Sequence, residues 1–260
     1  MKSTRLVLTV DIGNSSTKFS LFENDVLRSG QSCSNNEWKQ SLSAIFNNFK
    51  PDGVILSNSG NIPEALLENL MCLTDGNLMA LTPDTLLPVE FGSYDMGTLG
   101  KDRIAGACGA SALYPRKSLF IADVGTALTL DVLRNGKTFI GGNISPGLAL
   151  RFKSLHEATA ALPLVENWEN VSMWGNDTFS AIRDGVVNGV IYEIYISALL
   201  AKKMEGCELT ILTGGNADFI KRLLASFVKE NELDNIGEIV CCPDLVARGL
   251  LRIYNLNENN

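Results

Sequence analysis

The sequence contains one supersecondary unit twice, and this repetition limits the folds available to the chain. In each copy an apolar, β-branched segment ends in Asp-x-Gly, a short polar turn follows, and a second strand-like segment leads into a hairpin. Three positions coincide when the copies are aligned: Asp11 with Asp123, Gly13 with Gly125, and Thr17 with Thr129. An internal repeat of this kind predicts a fold built from two related halves.

Strand-like and helix-like patterns alternate after each copy. Short β-branched runs bounded by turn residues predict strands, and apolar residues at helical spacing predict helices, for example over 101–113 and 178–203. Strands that precede helices in both halves predict an α/β architecture. The pattern stops at Tyr114-Pro115, so we expect two domains, residues 1–115 and 116–260, each large enough to bury a core.

Some local patterns predict packing rather than chemistry. Asn35 or Asn36 precedes a segment with helical spacing and is the expected N-cap of that helix. Gly185 and Gly189 lie one helical turn apart, and we expect a neighbouring helix to pack on the smooth strip they leave. His156 is the only histidine and has no flanking acidic motif, so we assign it to structure or surface.

An Asp-x-Gly turn at the end of a buried strand suits phosphate binding. Glycine allows the backbone to approach a phosphate, free N–H groups point into the turn, and the carboxylate can hold a neutralising cation. Ordinary hairpins use the same residues, so one copy alone would leave both interpretations open. Two related copies favour binding, because halves facing each other about a pseudo-twofold axis would line one cleft with both turns.

Charge and cysteine content exclude several classes of protein. The chain has 22 Lys and Arg against 29 Asp and Glu, a net charge of -7, whereas nonspecific nucleic-acid binding needs a basic face. The 6 cysteines include no CxxC pair, which leaves too few ligands for a zinc site. The apolar run 6–10 is too short for a signal peptide. The longest apolar stretch is interrupted by Asn188 and Glu193, so it lacks the uninterrupted apolar length of a bilayer span. We therefore expect a cytoplasmic protein with reduced thiols and neither a nucleic-acid nor a membrane partner.

Five short blocks follow one another along the chain. They are Asp11-Ile12-Gly13-Asn14-Ser15, Gly100-Lys101-Asp102-Arg103, Asp123-Val124-Gly125-Thr126-Ala127, the glycine-rich block 141–147, and Thr213-Gly214-Gly215. Each block is generic, but the ordered set resembles the type III pantothenate kinase family. The resemblance implies two ribonuclease-H-like domains of the actin-like ATPase type, related by a pseudo-twofold axis, with an ATP cleft between them.

The same resemblance implies transfer of the γ-phosphate of ATP to the primary hydroxyl of pantothenate, the first committed step towards coenzyme A. Phosphoryl transfer depends mainly on positioning and charge neutralisation. By similarity, Asp11 helps to hold Mg²⁺, Thr126 contacts ATP, and Asp123 binds a monovalent cation, K⁺ or NH₄⁺, which this family requires. The first phosphate loop would comprise Asp11, Ile12, Gly13, Asn14, Ser15, Ser16, Thr17 and Lys18.

Asp102 matches the family's proton acceptor and is the expected general base. Its alternative role is to complement the positive end of the dipole of the predicted helix. Arg103 offers a planar fork for a carboxylate or phosphate, and its alternative is a solvated helix charge. The positions that match pantothenate contacts in the family are Tyr94, Gly100, Lys101, Asp102, Arg103 and Thr178.

Two other functions share parts of this pattern. Another phosphotransferase or phosphate-hydrolysing enzyme on the same fold would act on a sugar, acetate or polyphosphate. A noncatalytic regulatory relative would be free to lose its catalytic acids, whereas Asp11, Asp102, Arg103 and Asp123 are all present. The resemblance also implies a homodimer, because family members build the substrate pocket at or near a subunit interface.

Overall fold

The computed structural model describes residues 5–60 and 62–258. Two units are distinguished by their internal contacts: the first comprises the described residues up to Pro115 and from Asp244 onward, and the second spans Arg116–Pro243. The strands are β1 (Leu6–Ile12), β2 (Ser16–Glu23), β3 (Val26–Ser34), β4 (Gly53–Asn58), β5 (Leu78–Ala80), β6 (Leu119–Val124), β7 (Ala127–Arg134), β8 (Thr138–Pro146), β9 (Leu209–Thr213) and β10 (Glu238–Cys241). The helices are α1 (Trp38–Asn48), α2 (Glu64–Leu73), α3 (Lys101–Leu113), α4 (Leu148–Glu157), α5 (Thr178–Glu205), α6 (Ala217–Glu230) and α7 (Leu245–Glu258).

Each unit contains one five-stranded mixed sheet, and the two sheets have the same topology. The strand orders are β3-β2-β1-β4-β5 and β10-β9-β6-β7-β8. In the first sheet, β1 pairs antiparallel with β2 and parallel with β4. In the second sheet, β6 pairs antiparallel with β7 and parallel with β9. The internal repeat read from the sequence is therefore a repeat of sheet topology.

The register of the two hairpins differs by one residue from the sequence alignment. Asp11 pairs with Lys18 in the first hairpin, whereas Asp123 pairs with Thr129 in the second. The connection covers residues 13–15 in the first hairpin and only 125–126 in the second. The predicted equivalence of Thr17 and Thr129 is therefore wrong, because the shorter turn brings Thr129 to the position that Lys18 occupies.

The last helix, α7, belongs to the first unit, whereas the predicted domain 116–260 placed it in the second. It packs on α3, where an added methyl group on Gly249 would overlap the carbonyl oxygen of Ala105. Tyr254 of α7 is fully buried, and its hydroxyl occupies the space that a side chain on Gly53 would need. Close backbone approach between the helices explains why α3 is rich in small residues along its buried length.

Five local features can be compared with what the sequence predicts. Helix α3 has the predicted bounds, whereas α4 occupies a segment for which the sequence predicts no helix. The predicted N-cap of α1 is wrong, since Glu37 holds that position without a side-chain cap. The predicted packing strip on α5 is also wrong, because an added methyl on Gly185 would meet nothing within 4 Å. His156 is exposed, as expected.

Helix α5 is long and apolar enough, by length and composition, to cross a membrane, and among the described residues it alone meets that criterion. Half of its most apolar window is buried inside the protein, where residues such as Val187, Val190 and Ile194 are part of the second unit's core. A core helix of a globular protein has these same properties. None of the 6 cysteines forms a disulfide.

Candidate functional site

The first predicted phosphate loop is the connection between β1 and β2. Ile12 and Thr17 are buried at its two ends, while Asn14 and Ser15 between them are exposed. The N–H of Gly13 donates to the carbonyl oxygen of Ser16 at 2.9 Å, which closes the turn. The exposed backbone of this loop is thus anchored on both sides by the strands of the first sheet.

Asp11 lies near the end of β1 with Ser57 beside it in the parallel strand β4. The Ser57 hydroxyl donates to Oδ1 of Asp11 at 2.7 Å. Burial raises the pKa of the Asp11 carboxyl; the Ser57 hydrogen bond and the charge of Lys18 oppose this in part, and the negative charge of Asp102 raises it further. The structure therefore brings three predicted site residues, Asp11, Lys18 and Asp102, into one electrostatic environment.

The second predicted block forms the start of α3. Gly100 is the N-cap residue, and Asp102 lies in the first turn, where its Oδ1 accepts from the N–H of Arg103 at 2.8 Å. An added methyl on Gly100 would lie 2.6 Å from that same oxygen, so glycine leaves the room that the carboxylate occupies. Arg103 is buried, which excludes the solvated-charge interpretation of this residue.

Lys101 connects α3 to the sheet that carries Asp11. Its Nζ donates to Oδ1 of Asn58 at 2.7 Å, and Asn58 is the last residue of β4, directly after Ser57. The amide of Asn58 in turn donates to the carbonyl of Gly60 at 3.0 Å. Ser57 and Asn58 were not among the predicted site residues, although their position at the end of a buried strand was a usable signal.

Tyr94 lies in the loop before α3 and is exposed. The loop is closed by Asp95, whose side chain accepts from the N–H of Gly97 at 2.9 Å and whose carbonyl accepts from the N–H groups of Thr98 and Leu99 at 3.0 Å each. This turn leads directly into Gly100. The predicted pantothenate contacts from Tyr94 to Arg103 therefore follow one another along a single loop and helix start in the first unit.

The second unit has a corresponding arrangement around Asp123. Its parallel neighbour in β9 is Thr213, which is buried, as Ser57 is the neighbour of Asp11 in the first unit. Gly214 has a φ of +89° and packs against Asp123, and an added methyl there would lie 2.7 Å from the carbonyl carbon of Val124. Glycine at 214 is thus required both by backbone conformation and by the proximity of the Asp123 side chain.

Thr126 and Thr178 are the remaining predicted site residues, and both are exposed in the second unit. Thr126 forms the turn between β6 and β7, and its carbonyl accepts from the N–H of Gly147 at 3.0 Å. Thr178 is the first residue of α5, whose N-cap Asp177 forms a capping box with Ser180. The turn at Thr126 therefore contacts the end of the glycine-rich block 141–147.

Carboxylate oxygens in the first unit are suited to a magnesium ion. Within the described ranges, no group of three or more His, Cys, Asp and Glu side chains could hold a metal by itself. Mg²⁺ at phosphate-transfer sites is commonly held by one or two carboxylates together with substrate phosphates and water. Asp11, whose Oδ1 accepts from the Ser57 hydroxyl, offers one carboxylate for such a site.

Solved structures show which class of fold the chain has. An activator of 2-hydroxyisocaproyl-CoA dehydratase from Clostridium difficile with bound ADPNP has a TM-score of 0.56 and 13% identity, covering 98% of this chain and 96% of that one. A ROK family glucokinase from Streptomyces griseus in complex with glucose and AMPPNP has a TM-score of 0.55 and 11% identity, covering 98% and 100%. The chain therefore has the actin-like ATPase fold, which confirms the predicted α/β class with two ribonuclease-H-like domains.

Sequence comparison narrows this class to one family. The model of the type III pantothenate kinase family matches residues 7–198. A type III pantothenate kinase from Porphyromonas gingivalis is 36% identical over 255 residues, covering 96% of this chain and 98% of that protein. One from Bacteroides fragilis is 35% identical over 252 residues with the same coverage. The chain belongs to the type III pantothenate kinase family and is a kinase, so the resemblance drawn from the five blocks is confirmed.

A further solved structure bears on the regulatory alternative. It is described as a Baf family transcriptional activator from Campylobacter jejuni and has a TM-score of 0.61 and 26% identity, covering 97% of this chain and all of that one.

Proposed function

We propose that this kinase transfers the γ-phosphate of ATP to the primary hydroxyl of pantothenate, with Asp102 as the general base. One observation carries the proposal: the hydrogen bond from Lys101 Nζ to Asn58 Oδ1, 2.7 Å long, joins the start of α3, where Asp102 lies, to the end of β4, where Ser57 donates to Asp11 beside the first phosphate loop. A base in that position lies where an acceptor hydroxyl must meet the transferred phosphate. Membership of the type III pantothenate kinase family supports pantothenate as the acceptor.

The loop from Asp11 to Lys18 is the proposed site for the phosphates of ATP. Its exposed turn presents backbone N–H groups, and Lys18, paired with Asp11 across the hairpin, adds a positive charge. We assign Mg²⁺ to Asp11, directly or through water. Bound Mg²⁺ would neutralise charge on the phosphates, and it would also relieve the repulsion between Asp11 and Asp102.

In the second unit, we assign Thr126 to contact with ATP and Asp123 to a monovalent cation, K⁺ or NH₄⁺. The cradle around Asp123 supports this assignment, because Gly125 and Gly214 allow backbone to pack closely around one carboxylate oxygen. Carboxylate and carbonyl oxygens are the ligands that hard cations prefer.

Pantothenate is an anion, and the proposed contacts for it include two cationic side chains, Lys101 and Arg103. Arg103 is buried beside the proposed base, and Lys101 is fixed by Asn58 at the same helix start. Tyr94 and Thr178 are exposed and are assigned to the substrate by family resemblance. The planar fork of an arginine binds a carboxylate with two parallel hydrogen bonds, which makes Arg103 the preferred partner of the substrate's acid group.

The reaction requires little covalent help from the protein. As the substrate oxygen forms a bond to the γ-phosphorus, the bond from that phosphorus to the β–γ bridging oxygen breaks, and ADP is the leaving group. The Asp102 carboxylate accepts the proton of the substrate hydroxyl. The product is 4'-phosphopantothenate.

The test is ATP-dependent phosphorylation of pantothenate by the purified protein with Mg²⁺, run in parallel in potassium and sodium buffers. Turnover of pantothenate in potassium, with much slower turnover in sodium, is the expected result. Equal rates in both buffers would remove the assignment of Asp123 to a monovalent cation. Turnover of glucose or acetate but not pantothenate would assign a different acceptor.

The regulatory alternative is weaker for this chain than the kinase function. The similarity to the Campylobacter jejuni protein covers the same fold, but here Asp11, Asp102 and Asp123 are all present, and Asp11 and Asp102 lie near each other in the first unit. ATP binding without turnover of any acceptor would favour regulation. The proposed homodimer is tested separately, by light scattering of the eluting protein.

A further inference from the structure

The side chain of Asn35 holds the first phosphate loop from outside. Its Nδ2 donates to the carbonyl oxygen of Gly13 at 2.9 Å and to that of Asn14 at 3.2 Å. Its Oδ1 accepts from the hydroxyl of Thr17, a fully buried residue, at 2.9 Å. One side chain thus makes three hydrogen bonds to three residues of the loop and its second strand.

These partners leave only one orientation for the Asn35 amide. The Gly13 and Asn14 carbonyls can only accept, so the NH₂ group must face them, and the remaining oxygen then faces the Thr17 hydroxyl. Gly60 closes the other side of the Gly13 carbonyl, because an added methyl on Gly60 would lie 2.8 Å from that oxygen. The carbonyl side of the turn is therefore fixed by defined contacts.

Fixing the carbonyls also fixes the N–H groups. In a trans peptide the C=O of one residue and the N–H of the next point in opposite directions, and no cis peptide is present in the described chain. With the Gly13 and Asn14 carbonyls held by Asn35, the N–H groups of Asn14 and Ser15 point away from Asn35. Two successive N–H groups with a shared direction form the concave arrangement that binds anionic oxygens.

We propose that Asn35 is a positioning residue that orients the N–H groups of Asn14 and Ser15 towards the phosphates of ATP. This inference rests on the proposed function, since it assigns a phosphate ligand to the same loop. Asn35 contacts the loop rather than the ligand, and it acts by fixing the peptide planes before ATP arrives. Its expected contribution is to nucleotide affinity.

The experiment compares Asn35→Ala and Asn35→Asp with wild type and uses Asn36→Asp as the matched control. Asn36 is the exposed neighbour, so Asn36→Asp adds the same charge beside the loop without touching the three bonds. Binding of MgATP is measured by titration calorimetry without pantothenate, and KM is then measured for each substrate. The loss of hydrogen bonds to the loop is expected to weaken MgATP binding by about tenfold in both Asn35 variants and by less than about twofold in Asn36→Asp.

A role confined to folding would give a different pattern. It would lower the melting temperature and change KM for ATP and for pantothenate in parallel, and that outcome would overturn the proposal. So would MgATP binding by Asn35→Ala that equals wild type. If Asn35→Ala fails to fold, Thr17→Val is the alternative test. This variant removes the hydroxyl that fixes the Asn35 amide and keeps the size of the side chain. Unchanged ATP affinity in Thr17→Val would also overturn the proposal.

The design separates this inference from the proposed function. The binding measurement needs no acceptor, so an acceptor other than pantothenate leaves it valid. Wild-type protein that binds no MgATP would overturn both the inference and the proposed function. Wild-type binding with no effect of the Asn35 substitutions would overturn the inference alone.

Discussion

Burial raises the pKa of Asp11, near the end of β1, and the negative charge of Asp102, in the first turn of α3, raises it further. Two like charges held in one partly buried place favour a bound proton or cation over two free carboxylates. The sheet supplies one charge and the helix the other, and Ser57 and Lys101 hold these elements in place. Each carboxylate can therefore be tested by a substitution that preserves its size.

Asp102→Asn should abolish most turnover and leave ATP binding largely intact. Removal of a general base typically costs about 10² to 10⁴ in rate, so we expect a reduction of kcat in that range. The measurement is steady-state kcat for pantothenate together with calorimetric binding of MgATP.

Glu64→Gln is the matched control for Asp102→Asn. Glu64 also lies in the first turn of a helix, α2, and it is exposed. If Asp102 only complemented a helix dipole, both substitutions would lower stability by roughly 0.3 to 1 kcal/mol and leave kcat unchanged. Near-normal turnover in Asp102→Asn would therefore contradict the general-base assignment.

Asp11→Asn should stabilise the metal-free protein at neutral pH. The pKa of Asp11 is raised in the folded state, so this carboxyl ionises more readily in the unfolded chain. The free energy of unfolding of the wild type therefore falls as pH rises from about 3.8 through the raised pKa. The variant lacks that cost. Its stability advantage should be full above the raised pKa and shrink as pH falls towards 4, as urea unfolding in the presence of EDTA would show. An advantage that grew towards acid pH would contradict the direction of the shift.

Gly214→Ala should weaken both the second unit and its response to potassium. Residue 214 has a φ of +89°, which strains alanine, and the added methyl would overlap the Asp123 carboxylate. We therefore expect the free energy of unfolding to fall by about 1 to 3 kcal/mol. Displacement of Asp123 should raise the potassium concentration needed for half-maximal activity. Gly215→Ala is the stability control, because an added methyl there has open space. Equal melting temperatures for the two variants would contradict this account.

Two helical glycines should respond to alanine with opposite signs. In Gly249→Ala the new methyl would overlap the carbonyl of Ala105, and overpacking of this kind costs about 1 to 3 kcal/mol. In Gly185→Ala the methyl enters open space on α5, and the gain in helix propensity should stabilise by about 0.5 to 1 kcal/mol. Urea unfolding of both variants gives the comparison, and destabilisation by Gly185→Ala would show that this face is not open.

Local signals in the sequence predicted the elements that carry the candidate site. The Gly100 start and the Tyr114-Pro115 end fixed α3 to its observed bounds, because both act within a few residues. The two hairpins were recognisable because each combines β-branched strands with a glycine turn. The sequence did not reveal the difference in register between the two hairpins. Their connections differ in length by one residue, but the copies still align from Asp11 to Gly13, before the turns diverge.

The pattern of residues along the sequence could not predict contacts between residues that are distant from each other in the chain. Asn35 resembled a helix N-cap by its position before α1, but its hydrogen bonds run to Gly13, Asn14 and Thr17 on another strand pair. The partnership of Ser57 with Asp11 depends on β4 lying parallel beside β1. Helix α7 follows the second unit in sequence, and only the surface of α3 that it covers determines where it packs.

The position of α7 has a consequence for the order in which the protein is made. A nascent chain that has reached Pro243 has the whole second unit, whereas its first unit still lacks the helix that covers Ala105 and Gly109. Domains generally fold during synthesis as their residues emerge, the N-terminal domain first. Here the unit that emerges first is completed only after the second unit has been made, and its exposed helix surface stays uncovered until α7 has left the ribosome.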